Sequence, residues 1–243
     1  MDGFDPASSF GPDVAERYDD ELRGDEDDTV AFLSRLAGEG PALELAIGTG
    51  RIALPLAANG LRVDGIELSA AMVDILRTKP GGDKVHVTIG DFADVPIEGQ
   101  YRLIFVVFNT LFNLLTQDDQ VRCFQNVAAH LDSGGLFVIE AFTPGYLLRL
   151  RDNQYVDAER ITVGEVRLDV GRHDAVAQTL DESHVTITAQ GIRLGPIVTR
   201  YAWPSELDLM ARLAGLRLAG RWAGWNNEPF TSDSRRHVSV YER

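Results

Sequence analysis

Residues 42–57 constrain this chain more than any other stretch. A short apolar run through Leu43, Leu45 and Ile47 leads into Gly48 and Gly50, and a helical pattern opens at Arg51. The order is strand, tight turn, helix. Glycines let a ligand approach bare backbone, and a helix N-terminus offers unpaired N–H groups to the charged part of a nucleotide-like cofactor. The glycines alone also fit the G-x-G-x-x-A form of the dinucleotide fingerprint, so the cofactor stays open at this point.

The same alternation continues downstream. Apolar stretches at 61–66, 85–89, 101–108 and 136–142 read as strands. A helix through 70–77 opens on Ser69, and another opens on Thr116 with Asp119 three residues on, as in a capping box. Strands alternating with helices imply a parallel sheet with right-handed crossovers. Upstream, 14–22 and 30–37 have helical character. From about residue 155 the period drops to two, with Val166, Leu168 and Val170 alternating with polar residues, which predicts antiparallel strands. A helix over 205–214 and strands near 216–223 and 237–241 complete the chain. The expected organisation is an acidic N-terminal helical lid (1–40), a Rossmann-like core (41–154), an antiparallel β insertion capping the substrate side (155–202), and the core's last helix and strands (203–243). The core sheet is expected to be seven-stranded and mostly parallel, with helices on both faces.

At 243 residues the chain can bury a full core. No segment is long and apolar enough to span a bilayer, and a single cysteine, Cys123, excludes an intramolecular disulfide. These features place the protein in the cytoplasm by default. The net charge is −14, and residues 1–28 hold eleven acids against two arginines, a solvated leader on the plainest reading. No basic stripe is present, which argues against a nucleic-acid partner. Lysine occurs only at 79 and 84, and neither has a tyrosine four residues earlier, which removes the Tyr-x-x-x-Lys pair of short-chain dehydrogenases.

Three signals now stand in order: Glu44 with Ala46, Gly48 and Gly50 at the first strand, Glu67 after the second, and Asp91-Phe92 after the third. This series resembles the class I S-adenosylmethionine-dependent methyltransferases, over roughly residues 41–142. Ala46 stands where the family's first glycine falls, and it fits if it keeps φ negative. The resemblance implies S-adenosylmethionine as cofactor. It places Glu67 on the ribose hydroxyls, Leu68 and Met72 beside the adenine, and Asp91 with Phe92 at the base. It further implies that Glu44, Ala46, Gly48, Thr49 and Gly50 surround the methionyl end, with Phe108 and Asn109 after the fourth strand. Tyr18, in a Tyr-Asp pair, would fold over the cofactor.

Other candidates are less determined. Asn113, Trp222 and Trp225 are candidate substrate contacts, and Tyr18, Asn109, His173 and His237 candidate catalytic groups. No His, Cys or carboxylate grouping has a metal-ligand spacing, so no metal is expected. The reading is an enzyme that transfers a methyl group in line to N or O of a small metabolite, with no membrane partner, as a monomer or homodimer. An NAD(P)-dependent oxidoreductase and a non-catalytic S-adenosylmethionine-binding protein are the alternatives.

Overall fold

A computed structural model describes residues 9–20 and 22–243. Chain order is α1 (Pro12–Ala15), α2 (Glu26–Ala37), β1 (Ala42–Leu45), α3 (Ala53–Ala58), β2 (Val63–Glu67), α4 (Ala70–Thr78), β3 (His86–Ile89) and β4 (Tyr101–Val106). Then follow α5 (Gln117–His130), β5 (Leu131–Phe142), the four strands β6 (Gln154–Ile161), β7 (Glu165–Asp174), β8 (Thr179–Thr188) and β9 (Gly191–Arg200), α6 (Pro204–Leu213), β10 (Arg217–Trp222) and β11 (Arg236–Glu242).

The main sheet has seven strands in the order β10-β11-β5-β4-β1-β2-β3, parallel except for β11 against both its neighbours. Strand order reverses between β1 and β4, so their diverging loops leave a crevice at the carboxyl edge. Apolar side chains fill both faces of the sheet. One layer packs Phe124, Val127 and Leu207 from α5 and α6, and the other packs Phe32 and Leu33 from α2 with Leu56 and Leu76. Gly65 in β2 has no room for a side chain, because a Cβ there would stand 2.5 Å from Ile47. That contact brings the loop after β1 down onto β2. The antiparallel sheet β6-β7-β8-β9 is the expected insertion.

Three local expectations change. Helix over 14–22 is confined to Pro12–Ala15, and turns follow it. Polar anchors explain the difference: Asp19 is held by Thr49 and Lys79, and the Tyr18 carbonyl by Arg51. The last acids of the leader are not solvated tail, since Glu26, Asp27 and Asp28 form the first turn of α2, where negative charge favours the dipole. The helix after the glycines starts at Ala53 rather than Arg51 and is only six residues long. Thr116 does cap α5, accepting the Asp119 N–H at 3.0 Å.

Candidate active site

The crevice holds a cavity of about 290 Å³. Its walls include Ala46, Gly48, Glu67, Leu68, Met72, Asp91, Phe92 and Asn113, from the carboxyl ends of β1 to β4 and the segments that follow them, with Tyr18 from the N-terminal segment. Ser9 and Phe10 close one side, and Ile197 and Val198 of β9 close another.

The loop after β1 turns through left-handed backbone at Ala46 (φ 55°), Gly48 (φ 57°) and Gly50 (φ 78°). The positive φ at Ala46 overturns the expected negative one, and it costs an alanine about 1–2 kcal/mol that glycine would not incur. Such strain persists where surrounding contacts over-determine the loop. Gly50 is glycine for packing, since a Cβ would meet Leu54 at 2.9 Å and Leu76 at 3.0 Å. Gly48 faces open space, with only the Met72 methyl at 3.6 Å, and so presents bare backbone to the cavity.

Glu67 ties this loop to β2. One carboxylate oxygen accepts the Gly48 N–H and the other the Ser69 N–H, both at 2.8 Å. Burial raises its pKa, and the backbone donors oppose that rise. Opposite it, Asp91 accepts the Ala93 N–H at 2.8 Å and Phe92 forms the wall.

Glu44 is fully enclosed beneath the loop. Burial holds its carboxyl well above the usual range, the Ala53 N–H partly offsets this, and Glu67 adds to it. One oxygen, Oε2, is buried without a partner. A group with a raised folded pKa adds stability below its unfolded value of about 4.3 and loses it as pH rises through the folded value. Glu44→Gln keeps an acceptor for Ala53 and cannot ionise. Its melting temperature is expected to exceed that of the ligand-free parent at pH 8, with the gap closing toward pH 4.5. A gap independent of pH would remove Glu44 as the source.

After β4 the chain takes two consecutive left-handed residues, Phe108 (φ 59°) and Asn109 (φ 63°). The Phe108 N–H donates to Glu140 at 2.6 Å, and Asn109 Oδ1 accepts the Phe142 N–H at 2.7 Å. The Asn109 side chain therefore supports the loop, the Phe108 ring lies under the Arg23 guanidinium at 4.6 Å, and neither residue is among the cavity walls, whereas Thr110 and Asn113 are. Thr49 is buried and also lies outside the cavity walls, its hydroxyl donating to Asp19 at 2.8 Å. Burial pushes the Tyr18 hydroxyl up, and the Arg51 guanidinium opposes that rise.

The remaining candidates sit elsewhere. Trp222 and Trp225 pack edge-on against Phe32 of α2, at 5.7 and 5.5 Å, in the core layer opposite α5. Their large apolar rings are taken by helix packing, which corrects their assignment to a substrate pocket. His173 Nε2 lies 3.0 Å from the Tyr201 hydroxyl, and burial lowers its pKa. His237 is fully buried with Nδ1 on Ser239 at 2.8 Å, and burial lowers its pKa to about 3. Neither histidine lines the cavity.

Sequence reasoning missed three features. Glu140 on β5 is 1% exposed and takes both guanidinium arms of Arg23, at 2.7 and 3.1 Å. Arg51 stacks on Tyr18 at 4.7 Å, while Lys79 bridges Asp19 and the Thr49 carbonyl. One of only two cations in an acidic leader was the available signal for Arg23. Thirdly, the expectation of no His–carboxylate grouping is corrected: Asp169, Glu182 and His184 bring ligand atoms within 4.8 Å of one another. Register does this, pairing Asp169 with His184 across β7 and β8, and no linear spacing reveals it.

The strand order and the acid-lined glycine turn define a class I S-adenosylmethionine-dependent methyltransferase. Comparison with known proteins agrees. A family model described as a methyltransferase domain matches residues 42–135. The solved structure of the CcbJ methyltransferase from Streptomyces caelestis is 39% identical, covers 98% of both chains and superposes with a TM-score of 0.91. Cypemycin N-terminal methyltransferase from a Streptomyces species is 28% identical over 83% of this chain and 82% of its own. The S-adenosylmethionine-bound amino pentose methyltransferase CalS10 from Micromonospora echinaspora, 22% identical with a TM-score of 0.68 over 95% of each chain, shares the fold. This chain belongs to the S-adenosylmethionine-dependent methyltransferase family and is an enzyme of it. The oxidoreductase and non-catalytic alternatives are set aside. No described helix is long and apolar enough to cross a membrane.

Proposed function

We propose that the enzyme methylates an amine nitrogen of a metabolite-sized substrate. One observation carries this: with Glu67 and Asp91 turned to the cofactor, the remaining charged side chain in the lining is the carboxylate of Asp119, and no lysine or arginine lines the cavity among the described residues. Acidic walls in a low-dielectric crevice favour cationic and amine ligands over anionic ones. The names of related proteins point the same way, among them an N-terminal methyltransferase and two N,N-dimethyltransferases of amino-deoxy sugars from Streptomyces fradiae and Saccharopolyspora spinosa.

The residues present fit S-adenosylmethionine. Glu67 offers its remaining carboxylate lone pairs to ribose hydroxyls, Leu68, Met72 and Phe92 the apolar walls for adenine, and Asp91 an acceptor for its amino group. Glu44 Oε2, buried and unpartnered, suits the methionyl ammonium, directly or through water. When bound, this cofactor supplies a methyl group already activated on a sulfonium. The chain's own work is alignment and exclusion of water: Tyr18 and Phe10 cover the cavity, and Asn113 and Thr110 face the acceptor side.

A panel of amino sugars, small amines, peptide N-termini, hydroxyl acceptors, RNA, DNA and protein, incubated with methyl-labelled cofactor, tests this reading. Label is expected in amines alone, with a rate that rises as the amine loses its proton, and undiminished by EDTA. Label confined to hydroxyls or macromolecules overturns the substrate. Loss of activity in EDTA would bring Asp169, Glu182 and His184 into the reaction as a metal site.

A further inference from the structure

Two segments that wall the cavity, far apart in the chain, meet on one side chain. Glu140 stands two residues before the end of β5, buried, in line with Val138 of the layer that α2 covers. Its Oε2 accepts the Phe108 N–H at 2.6 Å and Arg23 Nη1 at 3.1 Å, while Oε1 accepts Arg23 Nη2 at 2.7 Å. The Glu140 carbonyl accepts the Asn109 N–H at 3.3 Å. Phe108 and Asn109 are the two left-handed residues after β4, and such backbone persists only where its surroundings over-determine it. Glu140 supplies that constraint from side chain and backbone together. The pair sets the direction in which the chain enters the turn Thr110–Asn113, and Thr110, Asn113 and Leu114 are cavity walls. From the other side, Arg23 ends the segment that brings Phe10 and Tyr18 to the cavity. Its guanidinium lies 4.6 Å from the Phe108 ring centroid, so it rests on the loop as well as on the carboxylate. The Arg23 and Gly24 N–H groups donate to Glu26 at 2.8 Å, and Arg236 pairs with Asp25, which fixes this segment where it joins α2.

We propose that Glu140 is a positioning residue for methyl transfer: it touches neither cofactor nor acceptor, and it holds the acceptor-side loop and the N-terminal cover in register with each other. This rests on the placement of Thr110 and Asn113 at the acceptor side. In-line displacement requires the acceptor atom to stand directly behind the transferring methyl group, so the wall that seats the acceptor must be fixed against the wall that seats the cofactor. The loops after β1 to β3 form the cofactor walls, and the loop after β4 and the N-terminal segment face them. A carboxylate suits the joint, because it takes both arms of a planar guanidinium and still offers a lone pair to a backbone N–H. A buried carboxylate left without its guanidinium is costly, so the arrangement with both partners in place is the favoured one.

Glu140→Gln keeps an acceptor for the Phe108 N–H and forfeits the two-armed ion pair, whereas Arg23→Met keeps the Phe108 bond and removes the tie to the N-terminal segment. Turnover is measured with saturating S-adenosylmethionine and whichever amine or hydroxyl of the panel above takes label fastest, so the test stands even where the amine reading fails. Both variants are expected to lose about 10- to 100-fold in kcat, the upper figure being that of a reacting group misplaced by about 1 Å. Affinity for S-adenosylhomocysteine by calorimetry is expected to stay within about threefold of the parent, since the cofactor walls are untouched. The double variant is expected to be no slower than the slower single one, because both break the same joint. Hydrogen exchange with S-adenosylhomocysteine bound needs no acceptor, and Arg23→Met is expected to speed it across residues 107–114. Parent-like kcat in either folded variant overturns the proposal, as do losses that multiply in the double variant. A loss of S-adenosylhomocysteine affinity as large as the loss of kcat, or exchange changes confined to residues 22–26, also overturns it. If Glu140→Gln melts below the assay temperature, Arg23→Met decides alone, since that side chain is 30% exposed and Glu140 keeps the Phe108 N–H.

Discussion

Glu67→Ala is expected to weaken binding of S-adenosylmethionine and S-adenosylhomocysteine alike. Losing hydrogen bonds to a carboxylate costs about 1.5–3 kcal/mol, roughly tenfold or more in affinity. The structure adds a second contribution: the Gly48 and Ser69 N–H groups that Glu67 accepts at 2.8 Å lose their partner, and the glycine turn loses its tie to β2. Calorimetry against both ligands measures the effect, with a thermal melt of the ligand-free protein separating loop loosening from global unfolding. Parent-like affinity in the variant would remove Glu67 from the cofactor site.

Removing residues 1–22 is expected to lower turnover by about 100-fold or more while the Rossmann-like core stays folded, because misplacing a reacting group by about 1 Å can cost that much. Ser9, Phe10 and Tyr18 line the cavity, and Asp19 fastens the segment to Thr49 and Lys79. The cut must stop before Arg23. That guanidinium is the nearest cation to Glu140, buried at the carboxyl end of β5, and without it the carboxylate keeps only the Phe108 N–H at 2.6 Å and Arg236 at 3.9 Å. A cut at residue 28 would therefore confuse loss of the cover with loss of the core. Stopped-flow or steady-state turnover, with circular dichroism on the same samples, decides the matter. Unchanged turnover would make the leader a solvated tail.

The cavity walls proposed to hold the cofactor were legible as a group because they sit at strand ends in chain order. Glu44 lies inside the first apolar run, Gly48, Glu67, Asp91 and Phe92 stand at or after the ends of such runs, and a parallel sheet brings those ends to one edge. The substrate half was not legible. Trp222 and Trp225 have the composition of a pocket wall, but α2 supplies Phe32 for them to pack on. His173 and His237 have the chemistry of a base, but their strands bury them away from the cavity.

By itself, the sequence determined the alternation of strands and helices, the glycine turn with its three acids, the insertion after the fifth strand of the core, and hence the enzyme class. These are local signals: hydrophobic period, turn residues and caps act within a few positions of one another. Only the tertiary structure decided which side chains face one another across long separations. Arg23 meets Glu140 over 117 positions, and Asp169 meets His184 through strand register. Pairings of that kind are set by how elements pack, and the sequence around each partner carries no trace of the other.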